Sequence, residues 1–74
     1  AGRRDPTSVD AYQNLGTVAS MQGRMKRAVE LTRRALDLAP DSVDAWVNLG
    51  RYELVRQRNE PAAHAFERAL ELDP

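Results

Sequence analysis

The sequence predicts an all-α fold, a short solenoid of four helices arranged as two helix-turn-helix repeats. Three observations predict it. Residues 9–40 laid over residues 43–74, at an offset of 34, are identical at 13 of 32 positions, where unrelated stretches share about two on ordinary amino-acid frequencies. Within each copy the apolar residues recur at the three- and four-residue spacing of a helix that buries one face, not at the alternation of a strand. Glycine and proline stand where helices must end, at Gly23, Pro40 and Pro74.

The elements follow in order. In the first, Ala11, Tyr12, Leu15, Val18 and Ala19 form the apolar stripe, Asp10 sits near the positive helix start, and Thr7 or Ser8 is placed to cap it. Gly23 closes that helix by supplying a left-handed backbone that most residues resist. A second helix runs from about Met25 to Leu38, with Ala28, Leu31, Ala35 and Leu38 on one stripe, and Pro40 stops it. The second copy repeats this as about Ser42 to Arg56 and Glu60 to Leu72. Gln57 stands where the first copy has Gly23, so Asn59 is expected to turn the chain before Pro61. The paired Gly16 and Gly50 let a neighbouring helix come close.

These residues resemble the tetratricopeptide repeat family, whose 34-residue unit carries an aromatic, then Leu-Gly, then Ala, a large residue, Ala and a closing Pro. Here the aromatics are Tyr12 and Trp46, followed by Leu15-Gly16 and Leu49-Gly50, then Ala28 and Ala62, Ala35 and Ala69, and Pro40 and Pro74. The resemblance implies a short right-handed α-solenoid. Repeat 1 is expected over residues 9–42 and repeat 2 over 43–74, with 1–8 the remnant of an upstream repeat, in which Asp5-Pro6 falls in phase, or a linker. The chain is thus expected to be two tandem repeats cut from a longer array.

Departures from the family pattern carry expectations of their own. Ala19 and Glu53 stand where the family has a large side chain, and Thr32 where it has an aromatic, so the first repeat is expected to pack loosely. Glu53 falls on the stripe that should be buried. It needs a basic partner, an exposed position or a rotated helix.

Composition narrows the functional classes. Eleven basic residues balance eleven acidic ones, so the long-range attraction toward nucleic acid or an anionic membrane is missing and neither partner is expected. There is no cysteine for a disulfide or a thiolate metal site, and no apolar run nears the ~20 residues that span a bilayer. No catalytic residue is expected, because there is no nucleophile with its base, no carboxylate pair in a pocket and no phosphate-cradling glycine loop. No metal or other cofactor is expected either. His64, the one histidine, lies one turn from Glu60 and Arg68 off the apolar stripe and reads as a solvated residue. Arg27, Arg33 and Arg34 stand three or four residues from Glu30 or Asp37. They read as a solvated face with intrahelical ion pairs worth ~0.3 to 0.5 kcal/mol each.

The positive signal lies on the first helix of each repeat. At 100° per residue, Asp10, Gln13, Asn14, Thr17, Ser20 and Met21 occupy an arc of about 120° that excludes the core stripe. The matching arc of repeat 2 holds Asp44, Val47, Asn48, Arg51, Leu54 and Val55, and its apolar members have no core to enter. In the family this face lines the inner groove where peptides or partner helices bind. The resemblance therefore implies a ligand surface of Gln13, Asn14, Thr17, Met21, Val47, Asn48, Arg51, Leu54 and Val55. Asn14 and Asn48 resemble the asparagine ladder of the O-linked N-acetylglucosamine transferases, although each can instead bond its own or a neighbouring helix. Gln13 and Thr17 occupy places where the family's carboxylate clamp has Lys and Asn, so that clamp is not expected.

The expected function is a non-enzymatic protein-protein interaction module. Its alternatives are a structural spacer or self-association element of a longer superhelix, or the substrate-recruiting arm of an enzyme. Two repeats leave two end faces, Ala63, Phe66, Ala69 and Leu70 at one end and Ala11, Val18 and Ala19 at the other, so a homo-oligomer is expected as well as a protein or peptide partner. Neither the partner's identity nor the compartment can be read from these residues.

Overall fold

The computed structural model describes residues 8–74. The expectations placed on Thr7, on Asp5-Pro6 and on the rest of an upstream remnant lie outside the described residues. Four α-helices follow one another: α1 (Val9–Met21), α2 (Met25–Leu38), α3 (Val43–Val55) and α4 (Asn59–Leu72). No strand occurs among the described residues. Ser8 caps α1 by accepting the Ala11 N–H at 3.2 Å, and Ser42 caps α3 by accepting the Ala45 N–H at 3.3 Å. Each satisfies one of the amides that a helix start leaves without an intrahelical partner.

The two intra-repeat turns are the same hydrogen-bonded structure built on different residues. After α1, the Arg24 N–H donates to the Ala19 carbonyl at 2.9 Å and the Gly23 N–H to Ser20 at 3.0 Å, with Gly23 at φ 79°. After α3, the Arg58 N–H donates to Glu53 at 2.9 Å and the Gln57 N–H to Leu54 at 2.9 Å, with Gln57 at φ 63°. Both are Schellman closures. The expectation that Asn59 turns the chain is therefore corrected, because the closure fixes its left-handed residue directly after the helix cap, and that residue is Gln57. Asn59 is the first residue of α4, and Pro61 sits in its first turn, where no intrahelical N–H is required. Between the repeats, Ala39 is extended ahead of Pro40 and the Trp46 Nε1–H donates to the Pro40 carbonyl at 2.8 Å.

Such short turns make successive helices antiparallel, so α1 and α3 run the same way. The Cα atoms span 39 × 30 × 15 Å, and the thin dimension is what two helix layers about 9 Å apart produce. Packing runs α1 on α2, α2 on α3 and α3 on α4. Seven of the twelve buried apolar residues are alanines, which lets the backbones approach toward the ~8 Å end of the normal range. Val29, Leu31, Leu36, Leu49 and Tyr52 supply the larger side chains, with Tyr12, Met25 and Trp46 packed against them.

Small residues in repeat 1 do not leave it loose at its helix crossing. Thr32 is buried, its hydroxyl donates to the Ala28 carbonyl at 2.8 Å, and a methyl group added at Gly16 would lie 3.2 Å from that hydroxyl. The same crossing in repeat 2 is made by Phe66 lying on Gly50. A small residue facing Thr and a small residue facing Phe are thus both filled. The expected stripes need correction at three places: Leu15, Val18 and Leu38 are exposed. Leu49 and Tyr52, the repeat 2 counterparts of Leu15 and Val18, are buried because α2 lies against α3. Among the described residues no helix precedes α1 to do the same for it.

Glu53 is buried, as its place on the stripe required, and the reason it is tolerated is now visible. Arg33 Nη2 donates to Oε2 at 3.4 Å and Arg56 Nη1 donates to Oε1 at 3.1 Å. The carboxylate is held by two cations whose own side chains reach water, Arg33 more than Arg56. Arg33 is thereby corrected from an intrahelical partner of Glu30 and Asp37 to a link between α2 and α3.

Candidate functional site

The parallel pair α1 and α3 sets one continuous face. Asn48 Nδ2 donates to Gln13 Oε1 at 3.4 Å, which joins the two helices side by side and brings the expected inner arcs together. Asn14, Thr17 and Arg51 are exposed on this face, while Gln13, Val47 and Asn48 are half-buried along its seam. Met21, Leu54 and Val55 are exposed in the last turns of α1 and α3, Met21 to 81%. Thr17 and Ser20 bond back to their own helix, through Thr17 Oγ1 to the Gln13 carbonyl at 3.1 Å and Ser20 Oγ to the Thr17 carbonyl at 2.7 Å. Asn48 thus takes the structural role open to it, at least with one amide hydrogen, and Asn14 stays exposed.

The end-face residues separate into those on the surface and those behind it. Ala63 and Leu70 are exposed, Phe66 is half-buried against Gly50, and Val18 is exposed with Ala11 half-covered. Ala19 and Ala69 are buried and drop out of the surface the end faces present. Leu15 joins that surface. Leu15 pairs with Leu49 at the 34-residue offset, and among the described residues only Leu49 lies on a helix with another packed ahead of it.

A cleft that the sequence did not suggest opens on the opposite side from the α1/α3 face. Its volume is about 410 Å³ and it is lined by Arg33, Leu36, Asp37, Trp46, Leu49, Pro61 and His64. Three helices contribute to it, which is why no single-helix pattern pointed there. His64 is exposed, as expected, but it also meets the edge of the Trp46 ring with centroids 6.0 Å apart, and the Arg68 guanidinium lies 5.7 Å from the Trp46 centroid while pairing with Glu71. No group of three or more His, Cys, Asp or Glu able to hold a metal occurs among the described residues. None of their helices is long and apolar enough to cross a membrane.

A model of the tetratricopeptide repeat matches residues 2–43 and 14–74. The chain belongs to the tetratricopeptide repeat family. Among solved structures, the crystal structure of MamA resembles it with a TM-score of 0.88 and 25% sequence identity, over 93% of this chain. This tetratricopeptide pair spans 40% of the length of that protein. No curated protein matches the chain. Tetratricopeptide repeats are generally protein-protein interaction modules without catalytic residues of their own, and the helical repeat fold described above is the fold of that family.

Proposed function

We propose that the chain is a non-enzymatic interaction module that takes an extended peptide or a partner helix along the face of α1 and α3. One observation carries the reading: Met21, Leu54 and Val55 are exposed apolar side chains, all in the last turns of α1 and α3, the two helices that Gln13 and Asn48 join. Exposed apolar groups that cluster, instead of scattering, mark contact sites. The polar groups beside them suit a peptide. Asn14 can donate to and accept from a backbone amide without reading a side chain, and Arg51 offers a cation to a carboxylate. Two helices present a small surface, so affinity is modest.

The test uses extended peptides selected from a random library on the immobilised protein, with binding then measured in solution. Asn48→Ala and Leu54→Asp are expected to weaken such peptides about tenfold or more, equivalent to ~1.4 kcal/mol. His64→Ser, on the opposite side, is expected to change nothing. Peptides that ignore the first two substitutions and are lost with the third would move the site to the cleft beneath Trp46.

A further inference from the structure

The cleft beneath Trp46 has an apolar lining of Leu36, Leu49, Pro61 and the Trp46 ring itself. That ring is held from three directions: Nε1–H donates to the Pro40 carbonyl at 2.8 Å, His64 meets its edge at 6.0 Å, and the Arg68 guanidinium lies 5.7 Å from its centroid. A surface oriented before the ligand arrives lowers the cost of binding. Arg33 and Asp37 also line the cleft, one turn apart on α2. They do not pair with each other. Among the described residues Asp37 has no ion pair or hydrogen bond, and the one bond Arg33 makes goes to Glu53 at 3.4 Å. The reason is local, because the cation precedes the anion along the helix, which is the weaker of the two orders, and Glu53 draws the guanidinium toward α3. That bond uses one of five guanidinium donors, and Arg56 holds Glu53 independently at 3.1 Å. Arg33 therefore has donors to spare. Arg33, Arg56 and Glu53 together carry one net positive charge and Asp37 one negative charge, unmatched and adjacent beside an apolar lining.

We propose that this cleft binds a free α-amino acid with an aromatic side chain, its carboxylate on Arg33, its ammonium on Asp37 and its ring against Trp46. The charges name the occupant. A free amino acid carries both, whereas the C-terminus of a peptide carries only the carboxylate, its N-terminus only the ammonium, and its interior neither. The spacing fits, since residues one turn apart have Cβ atoms about 5 to 6 Å apart and their side chains can converge on two groups about 2.5 Å apart across one Cα. A planar carboxylate suits the guanidinium fork, and His64 on the opposite wall adds an imidazole donor. An aromatic side chain is favoured because it can lie offset or edge-on to the Trp46 ring as well as bury apolar surface. At about 410 Å³ the cleft is near the small end of the ~300 to 1,000 Å³ that ligand sites occupy, the size of a single small molecule. It shares no residue with the peptide face on α1 and α3, so either proposal can fail alone.

Trp46 is the one tryptophan of the chain, so its fluorescence reports on the cleft alone, and calorimetry supplies a second readout. The probes are phenylalanine, N-acetylphenylalanine, which lacks the ammonium, phenylalanine amide, which lacks the carboxylate, and glycine, which lacks the ring. A ligand of this size is expected to bind with a Kd on the order of 1 mM, and each of the other three at least tenfold more weakly. Two variants assign the ends. Asp37→Asn is expected to weaken phenylalanine to the level of N-acetylphenylalanine while leaving N-acetylphenylalanine itself unchanged. Arg33→Ala, in which Arg56 still holds Glu53, is expected to remove the advantage of phenylalanine over its amide. Circular dichroism checks that both variants keep their helices. A general loss of structure would weaken all four probes alike, whereas each variant here abolishes one preference and spares the other. Absence of saturable binding by phenylalanine to the unmodified chain overturns the proposal. So does N-acetylphenylalanine or the amide binding as tightly as phenylalanine, because the occupant would then be the end of a peptide, and so does a preference for phenylalanine that survives Asp37→Asn.

Discussion

The contact between Gly50 and Phe66 allows the packing account to be tested by a change of sign. A methyl group added at Gly50 would lie 2.7 Å from Phe66 Cε1 and Cζ and 2.9 Å from Cε2, against a normal carbon contact of ~3.5 to 4.0 Å. The ring must retreat by roughly 1 Å, and forced repacking of this kind costs about 1 to 3 kcal/mol. Against that, replacing a mid-helix glycine with alanine contributes about 1 kcal/mol. Because Phe66 is only half-buried and can tilt outward, the cost sits in the middle of its range. Gly50→Ala is then destabilising by ~1 kcal/mol net, a fall in Tm of about 4 to 8 °C. In a Phe66→Ala background the clash is gone and only the helix preference remains, so the same substitution stabilises by ~1 kcal/mol and the coupling between the two positions is ~2 kcal/mol. Urea and thermal unfolding followed by circular dichroism and Trp46 fluorescence, at low micromolar concentration, measure all four proteins of the cycle. A Gly50→Ala effect of the same sign and size in both backgrounds would refute the argument.

Two further outcomes follow from the turns and the buried carboxylate. Gln57→Gly relieves a left-handed backbone that costs a side-chain-bearing residue roughly 1 kcal/mol, so the urea midpoint is expected to rise; an unchanged or lower midpoint contradicts the strain assigned to Gln57 at φ 63°. Arg33→Ala and Arg56→Ala are each expected to cost under about 1 kcal/mol because the other arginine still holds Glu53, whereas the double variant leaves a buried carboxylate uncompensated and costs about 3 to 5 kcal/mol; additive effects would mean that Glu53 does not depend on either.

Almost all of the fold was legible in the sequence, because an internal repeat states each helix twice. The boundaries of α2 and α3 follow from Pro40 and Ser42, and the inner arc of each first helix follows from its spacing. What could not be read was contributed by neighbours in space. Leu15 and Leu49 occupy the same place in the same pattern, yet one is exposed and the other buried, and only the arrangement of helices separates them. The turn at Gln57 was hidden for a different reason. Residue preference pointed to Asn59, but the hydrogen bonds that end α3 determine which position is left-handed, and they outweigh the preference. The cleft beneath Trp46 and the bond from Asn48 to Gln13 each join separate helices, so no periodicity along one helix announces them.

Glu53 poses the remaining question, since a buried carboxylate stabilises less than a well-packed apolar residue of similar volume. Its value is visible when the repeats are exchanged. The counterpart of Arg33 on α4 is Glu67, a reversal of charge at the same place in the repeat. If α3 of one copy were laid on α4 of another, Glu53 would leave Arg33 and meet Glu67, and two carboxylates would face each other with Arg56 alone to offset them. Like charges opposed at a desolvated contact cost several kcal/mol, far more than the pairing with Arg33 contributes at a position open to water. Were α1 laid there instead, the places of Glu53 and Arg56 would be taken by Ala19, which is buried within its own repeat, and Gln22, so Glu67 would face no second carboxylate. The charge pattern thus favours α3 on α2, where Glu53 meets Arg33, over α3 on α4, where it would meet Glu67.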